Sequence, residues 1–104
     1  MSNSTADYLD AIRAKLQLRN DNALAKALGI SRQTVSNYRL RGTSMDDDVA
    51  ARAAELLGIQ PGTVLLDMYT ERTRDPRIKS IWEQIGAAFL NTAPTPYQSG
   101  LALV

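Results

Sequence analysis

The chain has no cysteine and no histidine among its 104 residues. Without cysteine there is no disulfide and no thiolate metal site, and a reducing cytoplasm is the expected setting. Without histidine, the commonest general base and the commonest zinc ligand are both missing. No glycine-rich loop is built to cradle a phosphate, and the carboxylates show no convergent spacing. An enzyme is therefore the least expected class, and neither a cofactor nor a small-molecule ligand is implied. No apolar run approaches the roughly 18 residues of a membrane span. The first ten residues, MSNSTADYLD, have neither the basic opening nor the apolar stretch of a signal peptide. Nor does any stretch alternate as a strand does, so an all-α protein is expected.

What is present is an ordinary globular balance, 44% hydrophobic and 22% charged, at a length that buries one core. The net charge of +1 hides an asymmetry. Between Arg13 and Arg41 lie seven basic residues (Arg13, Lys15, Arg19, Lys26, Arg32, Arg39 and Arg41) and one acid, Asp21. That segment carries +6 and the remainder −5. A basic patch on a nearly neutral chain is the footprint of a DNA-binding domain; a solvated helical face is the alternative.

Start and stop signals predict six helices. Ser4 or Thr5 caps the first, which runs to about Leu18 with Tyr8, Leu9, Ile12 and Leu16 as its apolar stripe. Asp21 or Asn22 caps the second, and Gly29 ends it. Ser31 caps the third, which ends near Leu40. The acidic run Asp46–Asp48 opens the fourth, which stops at Gly58; these acids cap the helix and complement its dipole rather than bind metal. Pro61 starts the fifth, to about Glu71, and Pro76 the sixth, to about Leu90. The final stretch, with two prolines and a glycine, is expected to be an extended or disordered tail. Three segments result: a helix-turn-helix domain over 1–71, a C-terminal helix over 72–91 and a tail over 92–104.

Residues 21–40, DNALAKALGISRQTVSNYRL, meet the packing demands of a helix-turn-helix. Two short helices that cross closely need a small contact residue, Ala25, and a turn residue that accepts positive φ, Gly29. Val35 and Tyr38, three apart, anchor the second helix, with Leu24, Leu28 and Ile30 completing the core. An ordinary helical hairpin uses the same common residues, so the polar face and the basic patch matter. Arg32, Gln33, Ser36 and Asn37 point outward, and the first residues of such a helix meet base edges. Arg32 suits guanine, and Gln33 or Asn37 suits adenine. Asn22, Thr34, Arg39, Arg41 and Thr43 stand where phosphate contacts are usual; for Arg32 the lesser alternative is a phosphate contact, and for Arg39 and Arg41 a solvated charge. Residues 50–69 repeat the local form with Ala54, Gly58, Ile59 and Val64. There, Asp67 replaces the second anchor and Pro61 and Gly62 take the base-reading places, so this copy is expected to be structural.

On the sixth helix, Ile78, Ile81, Trp82, Ile85 and Phe89 line one face. That stripe is either core or a dimer or partner face.

Residues 8 to about 70 resemble the helix-turn-helix domain of the lambda repressor and Cro-like family, on Ala25, Gly29, Ile30, Ser31, Val35, Tyr38 and the following NYRLRG. The resemblance implies a compact five-helix domain with its third helix in the major groove. It also implies a homodimer on a palindromic operator in double-stranded DNA. By motif position its base-contacting places are Arg32, Gln33 and Asn37, and Asn22 matches a phosphate-contacting place. The whole chain, including RTRDPRIKSIWEQIG, also resembles small phage-related regulators that add a C-terminal helix. The expected function is a sequence-specific transcriptional regulator, a Cro-type phage or prophage repressor acting by operator occupancy. The rivals are an antitoxin that binds its promoter and a toxin, and a protein-interaction module working through the sixth helix.

Overall fold

The computed structural model describes residues 3–92, with side chains through residue 89. Among them are six α-helices and no strand: α1 (Thr5–Leu16), α2 (Asp21–Leu28), α3 (Arg32–Arg41), α4 (Asp47–Leu57), α5 (Pro61–Arg72) and α6 (Pro76–Thr92). The expected tail over 93–104 lies outside the described residues; Thr92, assigned to it, is still helical.

The chain's own short polar residues start most of these helices. Ser4 forms a capping box with Asp7: its hydroxyl accepts from the Asp7 amide at 3.1 Å, and its amide donates to the Asp7 carboxylate at 2.9 Å. Ser31 accepts from the Thr34 amide at 3.0 Å and Asp46 from the Val49 amide at 3.0 Å. The cap of α2 is Asn20, not Asp21 or Asn22: its Oδ1 accepts from the Ala23 amide at 2.9 Å. Asn20 takes that place because it alone is extended there (φ −158°), which leaves the Asp21 carboxylate available to other helices. The end of α1 also differs from expectation. Gln17 closes it in the left-handed region at φ 54°, so Leu16 turns toward solvent and Leu18 packs against the core instead.

The core is a single cluster. Leu9 and Ile12 of α1, Leu24 of α2, Val35 of α3, Met45 of the α3–α4 loop, and Val64 and Met68 of α5 are all fully buried. Burying one such side chain is worth roughly 1.5–3 kcal/mol. Around it, α4 packs on α5 and α1, α2 on α3, and α6 along α5.

A half-buried polar knot closes the domain. The Glu71 carboxylate, on α5, accepts from the Thr5 amide and hydroxyl (3.1 and 2.7 Å) and from the Ser44 hydroxyl (2.9 Å). The Thr5 hydroxyl oxygen in turn accepts from the Met45 amide at 3.2 Å. One side chain therefore ties the start of α1 to the α3–α4 loop and the end of α5.

Residues 50–69 do repeat the helix-turn-helix geometry. Gly58 is left-handed at φ 70°, the Ile59 amide donates to the Ala54 carbonyl at 3.0 Å, and Ala54 and Val64 are buried. Asp67, at the lost anchor position, accepts a hydrogen bond from the Tyr8 hydroxyl of α1. This second copy is part of the scaffold.

The α6 stripe divides. Trp82 stacks at a tilt on Tyr69 of α5, with ring centroids 5.2 Å apart. Phe89 lies so close to Gly62 that an added Cβ would fall 2.7 Å from its ring. Ile78, Ile81 and Ile85 remain 43%, 48% and 46% exposed.

Candidate nucleic-acid interface

The α2–α3 corner is fixed by its turn. Gly29 is left-handed at φ 72°, and the Ile30 amide donates to the Ala25 carbonyl at 3.0 Å, closing a Schellman-type cap. Ala25 and Val35 are buried between the helices. Tyr38 joins them, and burial, aided by the Asp46 charge, raises its phenol pKa so that it stays neutral.

With Val35 and Tyr38 inward, a rotation of about 100° per residue sends Gln33, Ser36 and Asn37 to the opposite side. Arg32 and Gln33 are exposed, Ser36 and Asn37 half-buried. The Gln33 amide donates to Asn37 Oδ1 at 3.2 Å, so these two form a coupled polar pair along the helix. Thr34 shares a 2.8 Å hydrogen bond with the Ser31 hydroxyl, beside the helix start. Asn22, Arg41 and Thr43 are exposed at the first turn of α2, the last residue of α3 and the loop beyond it. The arrangement offers hydrogen-bond donors and acceptors from one helix.

Arg39 is placed differently. Its guanidinium donates to Asp21 (3.2 Å twice) and to Asp10 (2.7 Å). The Asp21 hydrogen bond raises its pKa further. Arg39 thus braces α3 against α1 and α2.

Two more members of the basic segment serve the fold. Arg13 donates to the Leu18 and Arg19 carbonyls beyond α1 and lies 3.5 Å from Asp21; Lys15 donates to the Leu57 carbonyl at 2.7 Å, closing α4. Among the described residues, no ion pair or hydrogen bond engages the side chains of Arg19, Lys26, Arg32 and Arg41. Fewer of these side chains are uncommitted than the sequence count suggests.

Leu40, which no polar motif marks, also lies on α3. It is 83% exposed, near the end of α3, and belongs to the same outward face as Gln33 and Asn37. The helical period that buries Val35 and Tyr38 was sufficient to find it.

Among the described residues, no group of three or more His, Cys, Asp or Glu could hold a metal ion, and no helix is long and apolar enough to cross a membrane. The family model described as helix-turn-helix matches residues 9–64, more than half the chain. No curated protein and no solved structure matches.

Proposed function

The chain belongs to the helix-turn-helix family of lambda-repressor and Cro-like domains and is a DNA-binding transcriptional regulator; from that premise we propose a Cro-type repressor of phage or prophage origin. It acts in the cytoplasm by occupying an operator and blocking polymerase. The observation that carries this reading is the outward face of α3. Arg32, Gln33, Ser36 and Asn37 stand together there, committed to no other helix. In this reading Arg32 pairs with guanine and the Gln33–Asn37 pair takes adenine. Asn22, Thr34, Arg41 and Thr43 hold phosphates, and Arg39 contributes by holding α3 at its angle.

The same reading makes the protein a homodimer on a palindromic site. Ile78, Ile81 and Ile85 follow one another three and four residues apart along one exposed strip of α6. Two antiparallel α6 helices crossing near Ile81 would bring Ile78 of one copy toward Ile85 of the second and the two Ile81 side chains beside each other, a self-complementary patch. Recognition helices one turn apart, about 34 Å, then reach two half-sites. An antitoxin would use these same isoleucines on a toxin, and a protein-interaction module would use them without DNA.

The test is binding of the purified chain to DNA from its gene's upstream region, with unrelated DNA competing. A preference of at least ~10³-fold supports the repressor; an absent preference sinks it. Ile81→Asp separates the rivals. Sedimentation should show a dimer that this variant converts to a folded monomer with weakened operator binding. A wild-type chain already monomeric on its operator would remove the dimer and favour a different partner for α6.

A further inference from the structure

A lone exposed leucine ordinarily carries no information. Leu40 is different because of where it stands. Seven residues after Gln33, it falls within about 20° of that side chain around the helix, almost diametrically opposite the buried Val35–Tyr38 edge. It is the most exposed of the large hydrophobic side chains described, at 83%. Every other residue at the centre of that face is a hydrogen-bonding one. Helical side chains lean toward the preceding turn, so Leu40 covers the surface beside Ser36 and Asn37. Asn37 Oδ1 already accepts from Gln33, which leaves its amide N–H groups and one lone pair of that oxygen to meet a base.

We infer that Leu40 is a specificity residue that packs on the 5-methyl group of a thymine in the major groove, within one base pair of the base that Asn37 contacts. The inference rests on the DNA-reading role proposed above. Its chemistry is simple. An A·T pair shows the groove an adenine N6/N7 edge and a thymine methyl, the one apolar feature among the four bases. An amide and an aliphatic side chain three residues apart are separated by about 4.5 Å along the helix, close to one base-pair step. Leu40 cannot donate or accept, so its contribution depends on that methyl being present. Arg41 follows it at the groove edge, where a phosphate contact would hold the end of α3 down.

The experiment uses the full chain. A consensus is first selected from a random pool of duplexes, and each thymine in it is then replaced by deoxyuridine, which lacks only the methyl. Dissociation constants are measured for the wild type, Leu40→Ala and Leu40→Val. We expect one thymine per half-site whose replacement weakens the wild type about fourfold, the value for burying one methyl-sized group. Leu40→Ala should bind thymine and uracil duplexes equally at that position, and Leu40→Val should keep part of the difference. Both variants should melt with the wild type. If every replacement affects Leu40→Ala as it affects the wild type, the inference fails while the DNA-reading role stands. A loss of dimer in Leu40→Ala without DNA would also overturn it, by assigning the leucine to a second copy. If the selection yields no consensus, the DNA-reading role itself fails and the inference falls with it.

Discussion

Asp67 is a half-buried carboxylate held by the Tyr8 hydroxyl, and its burial raises its pKa above the ordinary 3.8 despite that hydrogen bond. Tyr8 is raised too, by burial first and by Asp67 second, so the phenol keeps its proton. A carboxyl whose folded pKa is raised costs stability when ionised, and that cost fades as pH falls through the raised value toward the unfolded one. Asp67→Asn keeps an acceptor for Tyr8 without the charge. It should raise Tm at pH 7, with the gain shrinking as pH falls toward 3.8, read as the difference between variant and wild-type melting curves. Single residues were unevenly legible. Ala25, Gly29, Ser31, Val35 and Tyr38 were legible because each answers a local demand of a turn, a cap or a helix face. The partners of Tyr8 and Glu71 were not, because Tyr8 meets Asp67 across 59 positions and Thr5 meets Glu71 across 66.

Among the elements, α3 carries two duties on separate edges. Val35, Tyr38 and Arg39 face the domain, and Gln33, Ser36, Asn37 and Leu40 face away. Arg39 was expected at a phosphate because a helix end was all that local spacing revealed. Asp10 and Asp21, brought across by α1 and α2, engage its guanidinium as well. The contrast is measurable. Arg39→Gln removes partly buried charged hydrogen bonds and should cost about 1–2 kcal/mol, lowering Tm by roughly 5–10 °C. Arg32→Gln should leave Tm unchanged while relaxing sequence preference at one operator position by about 1–3 kcal/mol. If the two variants melted alike, the division of α3 would be wrong. Helix boundaries were mostly legible because serine, aspartate and glycine mark them. The α6 stripe was not resolvable from its period alone, since apolar spacing is the same for a core edge and for an exposed one; only the contacts of Trp82 with Tyr69 and of Phe89 with Gly62 divide it.

For the whole molecule, charge is the property most changed by folding. Of the seven basic residues between Arg13 and Arg41, three (Arg13, Lys15 and Arg39) hydrogen-bond to carbonyls or carboxylates of the domain itself. With Arg32 given to guanine, a dimer using Arg19, Lys26 and Arg41 of each protomer on phosphates should show log K falling with log salt at a slope of about −5, against about −13 were all seven of each protomer so used. Titration of operator binding between ~50 and ~200 mM salt, across which about 10³-fold should be lost, distinguishes the two. A flat profile would remove phosphate contacts from the account. The separation of duties within α3 also has a hereditary consequence. On the proposed reading, mutations at positions 33, 36, 37 and 40 would change the address a chain answers to, whereas those at 35, 38 and 39 would first disturb the packing and ion pairs of the domain. A lineage built on this scaffold would then be free to part ways in target while its architecture stayed put.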